Sequence, residues 1–128
     1  MNTPDYGDNI EINVETAYLA QQSDPAGKRF VFSYQITITN HNPVAVQLLR
    51  RRWVITDGNQ QVQEVEGEGV IGETPIIEPD QSYQYTSGAV LTTSVGSMQG
   101  YYQMRDEAGE KFRAMIPTFT LARPNALH

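Results

Sequence analysis

GEGVIGETP, residues 67–75, carries the pattern G-x-G-x-x-G on Gly67, Gly69 and Gly72. After a strand and before a helix, this spacing marks a dinucleotide-binding α/β fold; in an all-β domain it marks a turn or bulge. Its context therefore decides the fold. The helix is essential to the first reading, because its N-terminal N–H groups and dipole hold the pyrophosphate. Here the chain continues as Thr74-Pro75-Ile76-Ile77-Glu78-Pro79. Pro75 pushes Thr74 to an extended shape, and no βαβ unit can be assembled. A kinase-type glycine loop between antiparallel strands is nearer in context. It needs a strand lysine with H-R-D and D-F-G motifs, and this chain has neither motif and only Lys28 and Lys111.

Outward from the loop, period-two alternation dominates and no convincing helix is found. Ile10, Ile12 and Val14 alternate with polar residues and predict a first strand. KRFVFSYQITITN (28–40) is the strongest strand, with Phe30, Phe32, Tyr34, Ile36 and Ile38 on one face. SDPAG (23–27) before it is a turn in which Gly27 tolerates positive φ, and NHNP (40–43) closes it. In VAVQLLRRRWVIT (44–56), Leu49, Trp53 and Ile55 share a parity and are expected to point inward. Arg51 shares that parity, so it must reach an edge or a carboxylate, because an unpaired buried charge is costly. Asp57-Gly58-Asn59 is a hairpin turn of the D-G type, and QQVQEVE returns as a strand into the glycine loop. TPIIEPDQ reads as an extended crossover. SYQYTSG, MQGYYQMRDE and KFRAMIPTFTL supply the remaining strands, with Ala108-Gly109 in the last turn.

About seven or eight short antiparallel strands with regular turn signals predict an immunoglobulin or fibronectin type III-like β-sandwich. Trp53, facing the core from the third long strand, fits that plan; a small closed barrel is the runner-up. The 128 residues suggest one domain, 1–128, with loose tails at 1–8 and 122–128. With no cysteine, disulfides and thiolate chemistry are excluded. The polar start lacks the basic and apolar regions of a signal peptide, no apolar run reaches the roughly 18 residues of a membrane span, and a cytoplasmic, membrane-free domain is expected. The net charge of −6 argues against direct nucleic-acid binding.

The chemistry legible in the chain is thin. Glu66, Glu68 and Glu73 crowd the glycine loop, and each carboxylate about 4 Å from a phosphate charge costs about 1 kcal/mol in water and about four times that at a surface-like dielectric. Phosphate binding at Gly67, Gly69 and Gly72 would therefore depend on a divalent ion such as Mg²⁺ held by those glutamates; the competing reading is a structural turn at a sheet edge. Glu64, Glu66 and Glu68 share one strand face and make at best a weak hard-cation site. His41, in a turn, and His128, at the terminus, lack ligand spacing. No nucleophile motif and no sequestered carboxylate pair is present, so no catalytic residue is assigned and no cofactor is required. Tyr83 and Tyr85 share a face, whereas Tyr101 and Tyr102 face opposite ways, leaving one exposed to anchor a partner.

RRWVITDGN, VEGEGVIGETPIIEP, YQYTSGAVL and MQGYYQM resemble, in order and across nearly the whole chain, the ApaG (CorD) family of small bacterial proteins. The combination of Arg51-x-Trp53, the glycine loop, the YTSG segment and Met98-x-Gly100-x-Tyr102-x-Met104 carries the resemblance. Thr74, where members often carry Gln, and Pro79-Asp80-Gln81, where Pro-Gly-Glu is usual, depart from it. The resemblance implies a fibronectin type III-like sandwich and an association with cobalt resistance and magnesium efflux. It also implies genomic company with the diadenosine tetraphosphate hydrolase. Related domains in a eukaryotic F-box protein and a DNA polymerase delta-interacting protein imply protein–protein recognition. The function expected is a non-enzymatic module that binds an unidentified protein through the glycine loop and its neighbours Arg51, Glu66 and Glu68, with Arg51 bridging loop or partner carboxylates. The alternative is a divalent-dependent nucleotide or pyrophosphate sensor.

Overall fold

Strand β2 (Phe30–Asn40) sets the architecture. Phe30, Phe32, Tyr34, Ile36 and Ile38 all lie in the core, as their alternation predicts. The computed structural model describes residues 6–125. Among them β2 is flanked by β1 (Ile10–Tyr18) and β6 (Ser82–Leu91) in an antiparallel sheet of three. The second sheet runs β4 (Val62–Glu68), β3 (Val46–Asp57), β7 (Val95–Asp106), β8 (Lys111–Ala122), with the two-residue β5 (Ile76–Ile77) also paired to β3. The two sheets enclose one core, the sandwich that the strand pattern predicts. Helical turns among the described residues are short 3₁₀ pieces.

The sheets meet through aromatic rings. Trp53 of β3 is 2% exposed. It meets Tyr34 of the opposite sheet edge-on with centroids 5.5 Å apart, and Phe119 of β8 at 5.8 Å and 90°. Such contacts contribute about 0.5–1.5 kcal/mol each beyond the burial of area. Tyr85 and Tyr102, one from each sheet, join hydroxyls in the core at 2.5 Å.

Several local expectations are corrected. In β3 the pairing with β7 shifts register between Leu48 and Arg50. This bulge at Leu49 reverses the parity, so Val46 and Leu48 are the buried residues before it and Trp53 the buried one after it. Leu49, expected inward, is only half-buried. In the SDPAG turn the left-handed residue is Lys28 (φ 57), not Gly27; Gly27 instead donates its amide to the Asp24 side chain. At Asp57-Gly58-Asn59 the loop is longer than a two-residue D-G turn. Asp57 Oδ1 accepts from the amides of Asn59 and Gln61, and the positive φ (65°) falls on Gln60. The β7–β8 loop repeats this plan: Asp106 Oδ1 accepts from Ala108 and Glu110, and Gly109 has φ 86°.

Of the expected tails, residues 1–5 and 126–128 lie outside the described residues, His128 included. Tyr6–Asn9, overlapping the end of the segment 1–8, forms a 3₁₀ turn, and the Tyr6 ring lies 5.5 Å from Phe112. Ala122 closes β8. The NHNP segment is likewise more than a turn. Asn40 and Asn42 are fully buried. Asn40 Nδ2 donates to the carbonyls of Val44 and Ile77, and its Oδ1 accepts from the amide and side chain of Asn42. Every buried polar side-chain atom among the described residues has a partner.

Candidate functional site

The glycine loop is an excursion from a sheet edge. β4 pairs with β3 up to Glu68, opposite Arg50. The Gly69 amide then donates to the Leu49 carbonyl at 2.8 Å, the last tie before the chain turns away beside the β3 bulge. Val70 and Glu73 exchange backbone hydrogen bonds of 2.8 and 2.9 Å across the two-residue tip Ile71-Gly72. Both tip residues have positive φ (49° and 75°), as a type I′ hairpin requires. Pro75 brings the chain back, its carbonyl accepting from Leu48, and β5 resumes the pairing with β3. Pro75 thus ends an excursion within one sheet, and the following segment is extended, as its sequence predicts.

Each glycine of the motif has a steric task. A methyl group on Gly69 would stand 2.2 Å from the Glu73 carbonyl oxygen, on a backbone already at φ 63°. A methyl group on Gly67 would stand 2.6 Å from Arg51 Nη1 and 2.8 Å from Cζ, so the bare Gly67 backbone seats the guanidinium. Gly72 occupies the second left-handed position of the hairpin. The amides of Gly69 and Val70 are already engaged with backbone carbonyls.

Arg51 resolves its inward parity at the edge. Its Nη1 donates to the carbonyls of Gly69 (2.8 Å) and Glu68 (3.2 Å). Arg51 makes no ion pair with a loop carboxylate among the described residues; the bridge within the chain belongs instead to Arg52. On the outer face, its Nη2 and Nη1 reach Glu64 and Glu66 at 2.5 and 2.6 Å. The Glu66 hydrogen bond first, then the charge of Glu64, hold the Arg52 guanidinium above its ordinary pKa. Glu64 and Glu66 are therefore tied to a cation of their own chain. Among the described residues no group of three or more His, Cys, Asp or Glu side chains is arranged to hold a metal ion. His41 pairs with Glu11 at 2.8 Å, and that hydrogen bond, followed by one from Asn13, lowers the Glu11 pKa.

Behind the hairpin, Arg51, Glu68, Ile71, Gly72, Tyr85 and Ser87 border a cavity of about 210 Å³ floored by Tyr34, Trp53 and Val70. Ile71, at the hairpin tip, is 60% exposed. This placement was not legible in the sequence, because the β-branched residue beside a glycine gave no sign of a left-handed backbone. A larger depression of about 400 Å³ lies near the β7–β8 turn, beside Gln47, Ile76 and Arg105, and none of the candidate site residues Arg51, Glu64, Glu66, Gly67, Glu68, Gly69 or Gly72 lines it. Tyr102 is the buried member of its pair, and Tyr101 carries the Arg113 guanidinium over its ring at 4.3 Å.

The fold and the loop define an immunoglobulin-like β-sandwich that presents a glycine-built hairpin from one sheet edge. Comparison with known proteins makes this specific: a family model described as the ApaG domain matches residues 20–106. The chain is 58% identical over 119 residues to Protein ApaG of Thiobacillus denitrificans, covering 93% of this chain and 94% of the relative. It is 52% identical to Protein ApaG of Pseudomonas entomophila over the full length of both. An X-ray structure of a Northeast Structural Genomics Consortium target superposes with a TM-score of 0.90 at 49% identity, covering 95% of this chain and 92% of that one. The chain belongs to the ApaG family. No helix among the described residues is long and apolar enough to cross a membrane.

Proposed function

We propose that the domain is a non-enzymatic recognition module that binds another protein through the glycine hairpin. The observation that carries this reading is Ile71. A β-branched residue at positive φ is unfavourable, and this one is held there, 60% exposed, by a hairpin that buries its neighbour Val70 completely. Backbone strain of this kind persists where the surrounding structure over-determines it, and it clusters at ligand-contacting sites. An apolar tip on a rigid support suits a hydrophobic pocket on a partner protein. The engaged amides of Gly69 and Val70 leave the loop a poor phosphate cradle. The link to cation resistance implied by the family resemblance would then run through the partner, with the protein acting in the cytoplasm.

The test pairs two measurements. Partner capture from cells is compared for the parent chain, Ile71→Asn and the β8-edge control Thr118→Asn; loss with Ile71→Asn alone is expected. ¹⁵N-labelled protein is titrated with ATP, diadenosine tetraphosphate and pyrophosphate, with and without Mg²⁺. Saturable shifts at Gly67, Gly69 and Gly72 that require Mg²⁺ would replace this proposal with the nucleotide-sensor reading, and capture insensitive to Ile71→Asn would remove the hairpin from it.

A further inference from the structure

The outer face of the second sheet carries charge that neither the core nor the hairpin uses. In β3 the buried Trp53 fixes the inward parity, so Arg50 and Arg52 point outward. Opposite them on β7 stand Gln103 and Tyr101, which alternate with the buried Tyr102 and Met104. In β8 the buried Ala114 and Ile116 leave Lys111, Arg113 and Met115 on the outside. Arg105 of β7 lies on the same face, opposite Lys111, and its Nε donates to the outward Gln47 at 3.0 Å. Arg50, Arg52, Arg105, Lys111 and Arg113 are five of the nine lysines and arginines, so one face is rich in cations in a chain whose net charge is −6.

Of these five, Arg52 alone is neutralised, by Glu64 and Glu66 of β4. Arg50, Arg105, Lys111 and Arg113 are exposed and make no ion pair among the described residues. Acids border the patch on two sides. Glu68 stands across from Arg50 at the β4 edge, and Asp106, Glu107 and Glu110 lie at the β7–β8 turn, where Asp106 and Glu107 accept from backbone amides. Arg105 and Lys111 are direct cross-strand partners, and like charges so placed cost stability in the free protein. Arg113 is held over the Tyr101 ring, which fixes its guanidinium while sparing its N–H donors for a carboxylate. Met115, the cross-strand partner of Tyr101, is 66% exposed and adds an apolar spot beside the cations. Outward side chains recur every two residues along a strand, about 6.7 Å, and an extended peptide repeats its side chains at the same interval. Lys111, Arg113 and Met115 follow one another along β8 at that interval. Two carboxylates two residues apart, with an apolar side chain two residues beyond, match them in order. A long polyanion such as nucleic acid would have to run past the bordering acids. A second copy of this chain brings from the same face only Glu68, because Arg52 already holds Glu64 and Glu66.

We infer that the outer face of β7 and β8 docks an extended acidic segment of a partner protein, with two carboxylates on the cluster of Arg105, Lys111 and Arg113 and an apolar side chain on Met115 and Tyr101. This face shares no residue with the hairpin, and the inference stands apart from it. The probe is a blocked seven-residue peptide of threonines with glutamate at its second and fourth positions and leucine at its sixth, together with its reverse-order isomer. Each is titrated at low salt into the ¹⁵N-labelled full chain. One of them should give saturable shifts centred on residues 101–105 and 111–115 that shrink as salt is raised. The same peptide with glutamines for glutamates should bind about tenfold more weakly, and so should the glutamate peptide to the double variant Arg105→Gln, Lys111→Gln. The double variant Lys28→Gln, Arg29→Gln removes equal charge from the turn before β2 and should leave binding unchanged. If the first double variant fails to fold, Lys111→Gln alone should weaken binding about threefold and carries the test. Shifts elsewhere, no shifts with either peptide, equal binding of the glutamine peptide, or equal weakening by both double variants would overturn the inference. Tighter binding of a single-stranded oligonucleotide or of tripolyphosphate at these residues would overturn it too, as would self-association in sedimentation velocity that the Arg105→Gln, Lys111→Gln variant abolishes.

Discussion

Replacing Ile71 by asparagine should stabilise the domain while removing its proposed contact. The backbone at Ile71 has φ 49°, in the left-handed region. For an L-residue that region costs about 1–2 kcal/mol, and a β-branched side chain sits at the upper end. Asparagine tolerates it, and followed by Gly72 it would give the Asn-Gly pair that type I′ hairpins favour. Against this stands lost burial. Ile71 is 60% exposed, so less than half of its side chain is covered. Full burial contributes about 1.5–3 kcal/mol, so the loss is roughly 0.6–1.2 kcal/mol. The balance is a gain of about 0.5 kcal/mol, near 1 kcal/mol if the strain is at its upper value, which raises Tm by about 2–4 °C in a chain of this size. Urea unfolding followed by tryptophan fluorescence, checked by a thermal melt, is the assay, and m should not change. A lower midpoint at unchanged m would refute the reasoning, because it would mean the tip is unstrained or that Ile71 contributes more packing than its exposure implies.

Gln60 poses the same question without a proposed function: Gln60→Gly should raise stability by about 0.5 kcal/mol, since Gly109 fills the equivalent place in the sister loop, and a lowered urea midpoint would count against it. Gly69→Ala should cost at least about 2–3 kcal/mol, because its methyl group meets the Glu73 carbonyl at 2.2 Å, and a variant with parental stability would show that the hairpin relaxes freely. Asn40→Ala should cost about 2–4 kcal/mol by leaving the carbonyls of Val44 and Ile77 and the amide of Asn42 without partners, measured by chemical denaturation. Burial raises the pKa of both Tyr85 and Tyr102, and each lies close to the other. A raised folded pKa gives stability that is complete below the free tyrosine value near 10 and is lost as pH climbs above it. In a 295 nm titration two of the seven tyrosines should therefore ionise only together with loss of the folded circular dichroism signal, and their ionisation in the folded state would contradict this.

What the sequence reveals here follows from how local the governing physics is. The run Phe30 to Ile38 announces its strand because period two needs only the chain itself. Pro75 excludes the helix that a phosphate loop would need for an equally local reason. β3 was misread from Leu48 to Leu49 because a bulge depends on the register of β7, a strand some 50 residues away. The Asn40–Asn42 network escaped for the same reason: its acceptors come from Val44, Ile77 and Tyr6. Arg51 was the informative anomaly. A charge at an inward parity signalled an edge, but its carbonyl partners became visible only once the hairpin had been folded over Gly67.

The hairpin has one more effect, on how copies of the protein meet. A long unbroken outer strand invites another sheet to join it and begins the stacking that ends in fibres. Here the outer border of β3 is divided, with Val62–Glu68 on one side of the hairpin and only Ile76–Ile77 on the other. The longer piece carries three glutamates, and the projection between the two pieces keeps a second flat edge from lying along both. A neighbouring copy therefore cannot pair along the whole side, so the split border works against the edge-to-edge growth of fibres.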